Sequence, residues 1–283
     1  MITVYDQGVC VGECADLFHA FAPLNGQLYC FFRRHRIDDG KRGESALWMA
    51  EWTGRKLIRE RHLLDGCEDP RVIVHQGEIL VFTVCPPQAC HVLFSYPSGR
   101  TINLVMPEGL PMGKNWQPYS DGSHVMVLHS FQPWRWLDID IYSGRVSVMS
   151  EQDLGLLGRA SHDNYSIWRG GSNALRVNGE VRGTGHLTYM PHTHQPFLWK
   201  DTRAIFPAIF PTDWGIVDPV SLWESPDGLH LSISCSERDW FSSQRFASYI
   251  LDLPEEIWHT TPIPTTALAA TRPTHPRSPV SVP

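Results

Sequence analysis

An all-β chain folded as a five-bladed β-propeller is what the sequence predicts, and three observations carry it. A Gly-centred turn beside apolar runs recurs five times, with glycines at 26, 77, 122, 179 and 228, so the steps are 51, 45, 57 and 49 residues. Further β-branched and aromatic runs stand between these turns, which suits four strands per unit. No long segment shows the i, i+3, i+4 apolar spacing of a helix.

The units follow in order. In the first, Asn25-Gly26 separates PL from QLYCFF, and ALWMAEW supplies another strand. In the second, Gln76-Gly77 separates RVIVH from EILVFTV, and HVLFSYP follows. Asp121-Gly122 precedes SHVMVLHSF and WLDIDIYSG, Asn178-Gly179 follows NALRV, and Asp227-Gly228 separates VSLWESP from LHLSISC, with FASYILDL after it. Asn-Gly and Asp-Gly suit tight hairpins because those turns need positive φ. A β-sandwich, or two small β domains, is the alternative. The propeller is expected over 1–259. Residues 260–283 are rich in Pro, Thr, Ala and Ser and are expected as a disordered tail, since they hold too little apolar surface to offset ordering entropy.

The 283 residues are 42% hydrophobic, 11% aromatic and 19% charged, enough for a substantial core. The formal net charge is −6 with no basic block. That argues against a nucleic-acid surface and an anionic membrane surface, which both want clustered Lys and Arg. The first residues, MITVYDQGVCVGECADLF, lack the basic start and long apolar run of a signal peptide. No stretch approaches the roughly 18 apolar residues of a membrane span, so a soluble, cytoplasmic protein is expected. The seven Cys show no CxxC spacing and no His-x-x-His pattern that would complete a zinc site; they are expected as reduced, mostly buried thiols. Oligomeric state is not set by these features.

In a propeller the innermost strands converge on one axial funnel, so residues at their starting ends face a common pocket. Each unit places polar groups there: Arg33, Arg34, His35 and Arg36 after YCFF; Glu68, Asp69, Pro70 and Arg71; Lys114, Asn115 and Trp116; Arg169 in WRGGSN with His186 in GHLTY; and Asp218 in WGIVDP with Glu237, Arg238 and Asp239 in SERDW. Any one cluster alone reads as a turn, a bulge or a solvated ion pair, and His186 alone as a hydrogen-bonded core histidine. Five clusters at one phase point to a shared pocket. Tryptophans 116, 168, 214 and 240 stand nearby, and an indole face beside hydrogen-bonding groups is how proteins hold sugars.

CEDPRV, GKNWQPY, WRGGSNAL, GTGHLTY and SCSERDW, in that order, resemble the motif series of glycoside hydrolase family 130. The resemblance covers roughly residues 15–253. It implies a five-bladed propeller acting on β-mannosides, mostly by phosphorolysis and in some members by hydrolysis. Glycosyltransferase family 108, with its β-1,2-mannosyltransferases and phosphorylases, shares that fold. By resemblance, Asp69 is the proton donor to the glycosidic oxygen, and Arg33 or Arg34 contacts the sugar at the cleavage subsite. Lys114-Asn115 takes the place of a phosphate-binding Arg-Asn pair, losing the bidentate fork of arginine. His186 matches the histidine of a Tyr-His-Gly motif, although Gly185 precedes it and Leu187 follows. Asp239 matches a sugar-hydroxyl acceptor, with Cys-Ser where Tyr-Gly usually stands. Arg169 has the right place to help an anion. Glu68, Arg71, Asn115, Trp116 and Asp218 complete the expected substrate contacts.

Breaking a glycosidic bond requires a proton on the leaving oxygen and a nucleophile at the anomeric carbon. For Asp69 to give the proton it must be neutral, its pKa raised from about 3.9 by burial or by Glu68, with Arg71 turned elsewhere. Phosphate as nucleophile needs cations, for which Lys114, Arg169, His186 and Arg238 are candidates. Water needs a second carboxylate about 6.5–9.5 Å from the acid, for which Asp218 and Asp239 are candidates. Cations outnumber spare carboxylates, so phosphorolysis or its reversal, mannosyl transfer from mannose 1-phosphate, is expected ahead of inverting hydrolysis. The expected partner is an oligosaccharide or sugar phosphate, with inorganic phosphate as co-substrate and no metal or organic cofactor. No dinucleotide fingerprint, P-loop or nucleophile elbow is present. A non-catalytic carbohydrate-binding propeller is the alternative from another class.

Overall fold

All five Gly-centred turns join an inner strand to the strand beside it. The protein is described by a computed structural model over residues 1–40, 43–86, 90–155, 168–189, 193–240 and 242–259; the expected tail lies outside the described residues. At Asn25-Gly26, Gln76-Gly77 and Asn178-Gly179 both central residues have positive φ, the type I′ requirement.

Strand β1 (Ile2–Gly8) comes first and is used last. Blade I is β2 (Cys14–Leu24), β3 (Gln27–Arg36), β4 (Ser45–Trp52) and β5 (Leu57–Asp65). Blade II is β6 (Glu68–His75), β7 (Glu78–Cys85), β8 (Cys90–Tyr96) and β9 (Thr101–Leu104). Blade III is β10 (Gln117–Ser120), β11 (Val125–Phe131), β12 (Trp134–Ile139) and β13 (Val146–Gln152). In blade IV the inner position is shared by β14 (Trp168–Gly170) and β15 (Leu175–Val177), followed by β16 (Glu180–Tyr189), β17 (Thr193–Lys200) and β18 (Arg203–Ile205). Blade V is β19 (Ile216–Ser225), β20 (Gly228–Ser236) and β21 (Arg245–Leu253), with β1 as its outer strand, antiparallel to β21. The N-terminal strand therefore closes the ring, a role the sequence reading did not assign. A short 3₁₀ turn, Glu255–His259, follows β21.

Apolar faces pack blade to blade: Val72, Ile79 and Val81 of blade II join Phe31, Leu47 and Met49 of blade I, and Leu80, Phe82 and Leu93 join Val125, Val127 and Leu137 of blade III. One expectation fails here. Cys67, just before β6, and Cys85, at the end of β7, form a disulfide, and Cys10 and Cys14 are exposed. Only Cys30 and Cys235 match the expected free buried thiols, with Cys90 half-buried.

Candidate active site

Blade II supplies the centre. From Glu68 to Arg71, β6 advances three residues while β7 advances two (Val84 to Phe82), a bulge at Asp69-Pro70. Proline has no N–H to lose from the ladder there. Asp69 has φ 53° and Asn115 φ 60°, a conformation that costs a non-glycine residue on the order of 1–3 kcal/mol and persists where the surroundings enforce it. Blade V repeats the device: the register of β19 shifts just after Asp218-Pro219. Two Asp-Pro pairs thus mark bulges at the funnel ends of two inner strands.

Arg33 reaches across from blade I. Its Nη1 donates to Asp69 Oδ1 at 3.0 Å, and Nη2 lies 3.2 Å from Glu68 Oε1 and 2.8 Å from His35 Nδ1. Lys114 Nζ lies 3.4 Å from Glu68 Oε2. Arg71 is buried; Nε donates to Gly171 O, Nη1 donates to Pro70 O at 3.0 Å, and Nη2 has no hydrogen-bond partner. Asp69 and Asp218 both act on the Arg71 charge, so an unused N–H donor sits in the field of two carboxylates.

These contacts reverse the expectation for Asp69. Burial, the largest single influence, pushes its carboxyl up, but Arg33, Lys114 and Arg71 together hold it below the usual carboxylate range. Asp69 is therefore ionised at neutral pH. Arg71 does direct its hydrogen bonds elsewhere, as expected; Arg33 takes the pairing role instead.

Asp218 Oδ1 accepts from His194 Nδ1 at 2.5 Å and lies 3.5 Å from His186 Nδ1, and the two imidazoles stack with centroids 4.4 Å apart. Burial pushes the Asp218 carboxyl up, but His186, His194 and Arg71 outweigh it and hold it far below its ordinary value. Burial lowers His186 to about 3. The ring is neutral, so His186 adds no charge to a phosphate site, contrary to expectation. His186, His194 and Asp218 form a group whose ligand atoms lie within 4.8 Å of one another, close enough to hold a metal ion. Asp218 also bears on Arg71 and Arg169, so a dication there would sit in the field of two guanidiniums, and the arrangement suits a buried proton-sharing group better. His194 was not foreseen; its link to Asp218 spans two blades and leaves no local spacing signal.

Other expected residues separate. Arg34 lies on the opposite side of β3 from Arg33: it pairs with Asp16 at 2.7 Å and Glu60 at 3.0 Å and stacks on Trp48. Trp116 is 2% exposed, donates Nε1–H to Met112 O and stacks on His91 at 3.7 Å, so it is core and no sugar platform. Trp214 is buried too, and Trp240 packs on Phe18 and Phe246. Asp239 accepts from the backbone N–H of Ser242 at 2.7 Å and from its hydroxyl, organising its own loop.

Lys114 and Glu68, in contact with each other, each line a cavity. The smaller, about 270 Å³, is lined by Lys114, Asn115, His129, Ser130, Trp168 and Arg169, with no carboxylate among its described lining residues. A β-carbon on Gly170 would collide with Asn115 O, so glycine lets blade IV approach the Lys114-Asn115 loop. The wider cavity, about 780 Å³, lies between blades I and II and is lined by Glu68, Arg34, Arg36, Ser45 and Asp65.

The buried histidines carry a stability consequence. Burial, as the main cause, lowers His19 and His186 to about 3 and His91 to about 4. The unfolded chain protonates such rings near 6.5 and the folded one does not, so their contribution is complete above 6.5 and is lost as pH falls toward 3–4. Denaturant melts should therefore show a few kcal/mol less stability at about pH 5 than at about pH 7.5; equal midpoints would contradict the buried neutral rings.

No family model matches this chain, and no curated protein matches it. Solved structures do. An α-L-arabinanase mutant from Cellvibrio cellulosa is 10% identical with a TM-score of 0.57, covering 88% of this chain and 93% of that one. A family-43 β-xylosidase/α-arabinofuranosidase from a compost metagenome, in complex with xylotriose, is 9% identical with a TM-score of 0.56, covering 88% and 96%. A hypothetical protein from Leishmania major is 14% identical with a TM-score of 0.53, covering 93% and 94%. At such identities the likeness establishes the shared fold.

Proposed function

We propose that this propeller is a carbohydrate-active enzyme that forms or cleaves a glycosidic bond with inversion at Asp69, with phosphate or a sugar 1-phosphate held in the Lys114–Arg169 cavity. The observation that carries it is a cavity on either side of the Lys114–Glu68 contact: one small and cationic with no carboxylate in its described wall, one wide enough for sugar. In synthesis, the Asp69 carboxylate takes the proton of an acceptor hydroxyl, the acceptor oxygen bonds to the anomeric carbon, and phosphate leaves toward Lys114. Phosphorolysis is the reverse, with Asp69 giving that proton to the leaving oxygen. The ionised state of Asp69 suits synthesis directly. A phosphate dianion beside Lys114 offsets the cations that hold Asp69 low and so favours protonation for the reverse reaction. The unpartnered Arg71 Nη2 would bind a sugar hydroxyl or phosphoryl oxygen. A β-mannoside is the first substrate to try, on the motif resemblance. Hydrolysis is the second reading, favoured by Asp218, a buried ionised carboxylate that shares Arg71 with Asp69 and could direct a water.

The test is paired assays on β-mannosides with and without phosphate, plus synthesis from mannose 1-phosphate. Phosphate-dependent release of mannose 1-phosphate is expected, and Lys114→Ala should raise KM for phosphate roughly 10- to 100-fold, the worth of one charge-assisted contact. Free mannose released regardless of phosphate would move the assignment to hydrolysis. No turnover in any direction, with sugar binding intact, would leave a carbohydrate-binding propeller.

A further inference from the structure

A second aromatic cavity, about 730 Å³, lies between blades III and IV and reaches the hairpin-turn end, away from the funnel. Trp134, Trp136 and Asp138 alternate along β12 and so share one face, while Leu137 and Ile139 belong to the core on the other. Trp134 and Trp199 are buried and meet edge to face at 5.2 Å; Trp136 packs edge-on against both but is only half-buried. The register of β13 shifts opposite Trp136 and Leu137, from Ser150 to Val148. Met149 is the extra residue, 60% exposed on the cavity wall, and bulges re-aim side chains in this way.

The rim restricts the ligand's chemistry. Its carboxylates are Asp121, Asp138 and Asp201. Asp121 caps its own turn, accepting from the N–H of Ser123 and His124 at 2.8 and 2.7 Å. Asp138 and Asp201 make no side-chain hydrogen bond or ion pair among the described residues. The rim cation Arg176 is already engaged, donating Nε to the Tyr119 hydroxyl at 3.0 Å and Nη1 to Gly179 O at 2.9 Å. Acceptors without an available cation disfavour phosphates and acidic groups. A half-open indole flanked by carboxylates suits a ligand with C–H faces and O–H donors.

We propose that this cavity is a second carbohydrate site, taking one or two units of a neutral glycan and so tethering a longer chain while the funnel acts. The choice of a glycan over other polyols rests on the activity proposed for the funnel. Affinity electrophoresis of the full chain through gels containing galactomannan, arabinoxylan, mixed-linkage β-glucan or, as a cationic control, chitosan tests it. Retardation is expected in at least one of the three neutral gels. Trp136→Ala should weaken it about tenfold or more, Trp136→Phe should keep most of it, and Asp138→Asn should weaken it. Asp69→Asn should leave it unchanged, and Trp136→Ala should leave turnover of short soluble substrates unchanged. No retardation in any gel, or retardation that a folded Trp136→Ala variant retains, overturns the site. Loss on Asp69→Asn alone assigns the binding to the funnel. Retardation only by chitosan that vanishes at about 0.5 M salt overturns the neutral-glycan assignment in favour of a cationic ligand. Failure of the funnel activity shows instead as absent turnover, whatever the gels show.

Discussion

Asp69→Asn is expected to cut turnover by about 10²–10⁴-fold, the worth of a positioned general acid or base, while ligand binding survives. Asparagine is close to an ideal probe here. It tolerates the left-handed backbone that Asp69 adopts at φ 53°, and its carbonyl still accepts from Arg33 Nη1. Arg33 also keeps Glu68 as a counter-ion at 3.2 Å. What the amide cannot do is move a proton. The depressed Asp69 carboxyl adds a directional test. Synthesis needs the ionised form, already present at neutral pH, so its rate should be flat there and fall in acid. Cleavage needs the protonated form, which is scarce at neutral pH, so its rate should climb as pH falls. Full activity in the variant, or an identical pH dependence in both directions, would remove Asp69 from the mechanism.

The propeller was legible because its strongest signals are local. Asn25-Gly26 and Asn178-Gly179 specify their turns whatever surrounds them, and the repeat spacing then counts the blades. Closure was not local. After FASYILDL the chain turns Pro-rich, so blade V has to borrow β1 from the other end, and ITVYDQG alone is too weak a pattern to announce it. The disulfide was not legible from the turn alone: folding about Gln76-Gly77 sets Cys85 opposite Glu68, and only the one-residue bulge at Asp69-Pro70 brings Cys67 opposite Cys85. At the site, the positions of Glu68, Asp69, Arg71, Lys114, Arg169 and Asp218 were readable from repeat phase. Their protonation was not, because it depends on partners in other blades. Asp69 is held low by Arg33, 36 residues earlier, and Asp218 by histidines on β16 and β17. Trp116 misled because a tryptophan facing a funnel and one packed beneath it have the same local sequence; Met112 O and His91 decide between them.

Arg33→Met should cost about 3 kcal/mol or more of folding stability, although it removes a single side chain of nearly core-like burial. Arg33 is the only cation among the described residues that contacts both Glu68 and Asp69 directly, at 3.2 and 3.0 Å. Truncating Arg33 leaves Asp69 charged without its direct counter-ion and Glu68 with Lys114 alone, which is far more costly than the net worth of the cluster. The dependence on pH identifies the cause. In the native protein Asp69 is held below its unfolded value, so it contributes stability above about 3.9 that is lost as pH falls through its folded pKa. Without Arg33, both its charge and its hydrogen bond are lost and the Asp69 carboxyl rises, so the deficit is largest at neutral pH and shrinks as acid neutralises the group. Adding Glu68→Gln should restore part of the loss, because it removes the like charge beside Asp69 and frees Lys114 from Glu68. Arg33→Lys should recover less than full stability, since one ammonium cannot reproduce the fork that spans two carboxylates and His35. Denaturant melts of the four proteins across acid and neutral pH measure all of this. A deficit that stays constant with pH would mean that Arg33 acts by filling space, and the electrostatic account of how Asp69 is kept ionised would fall with it.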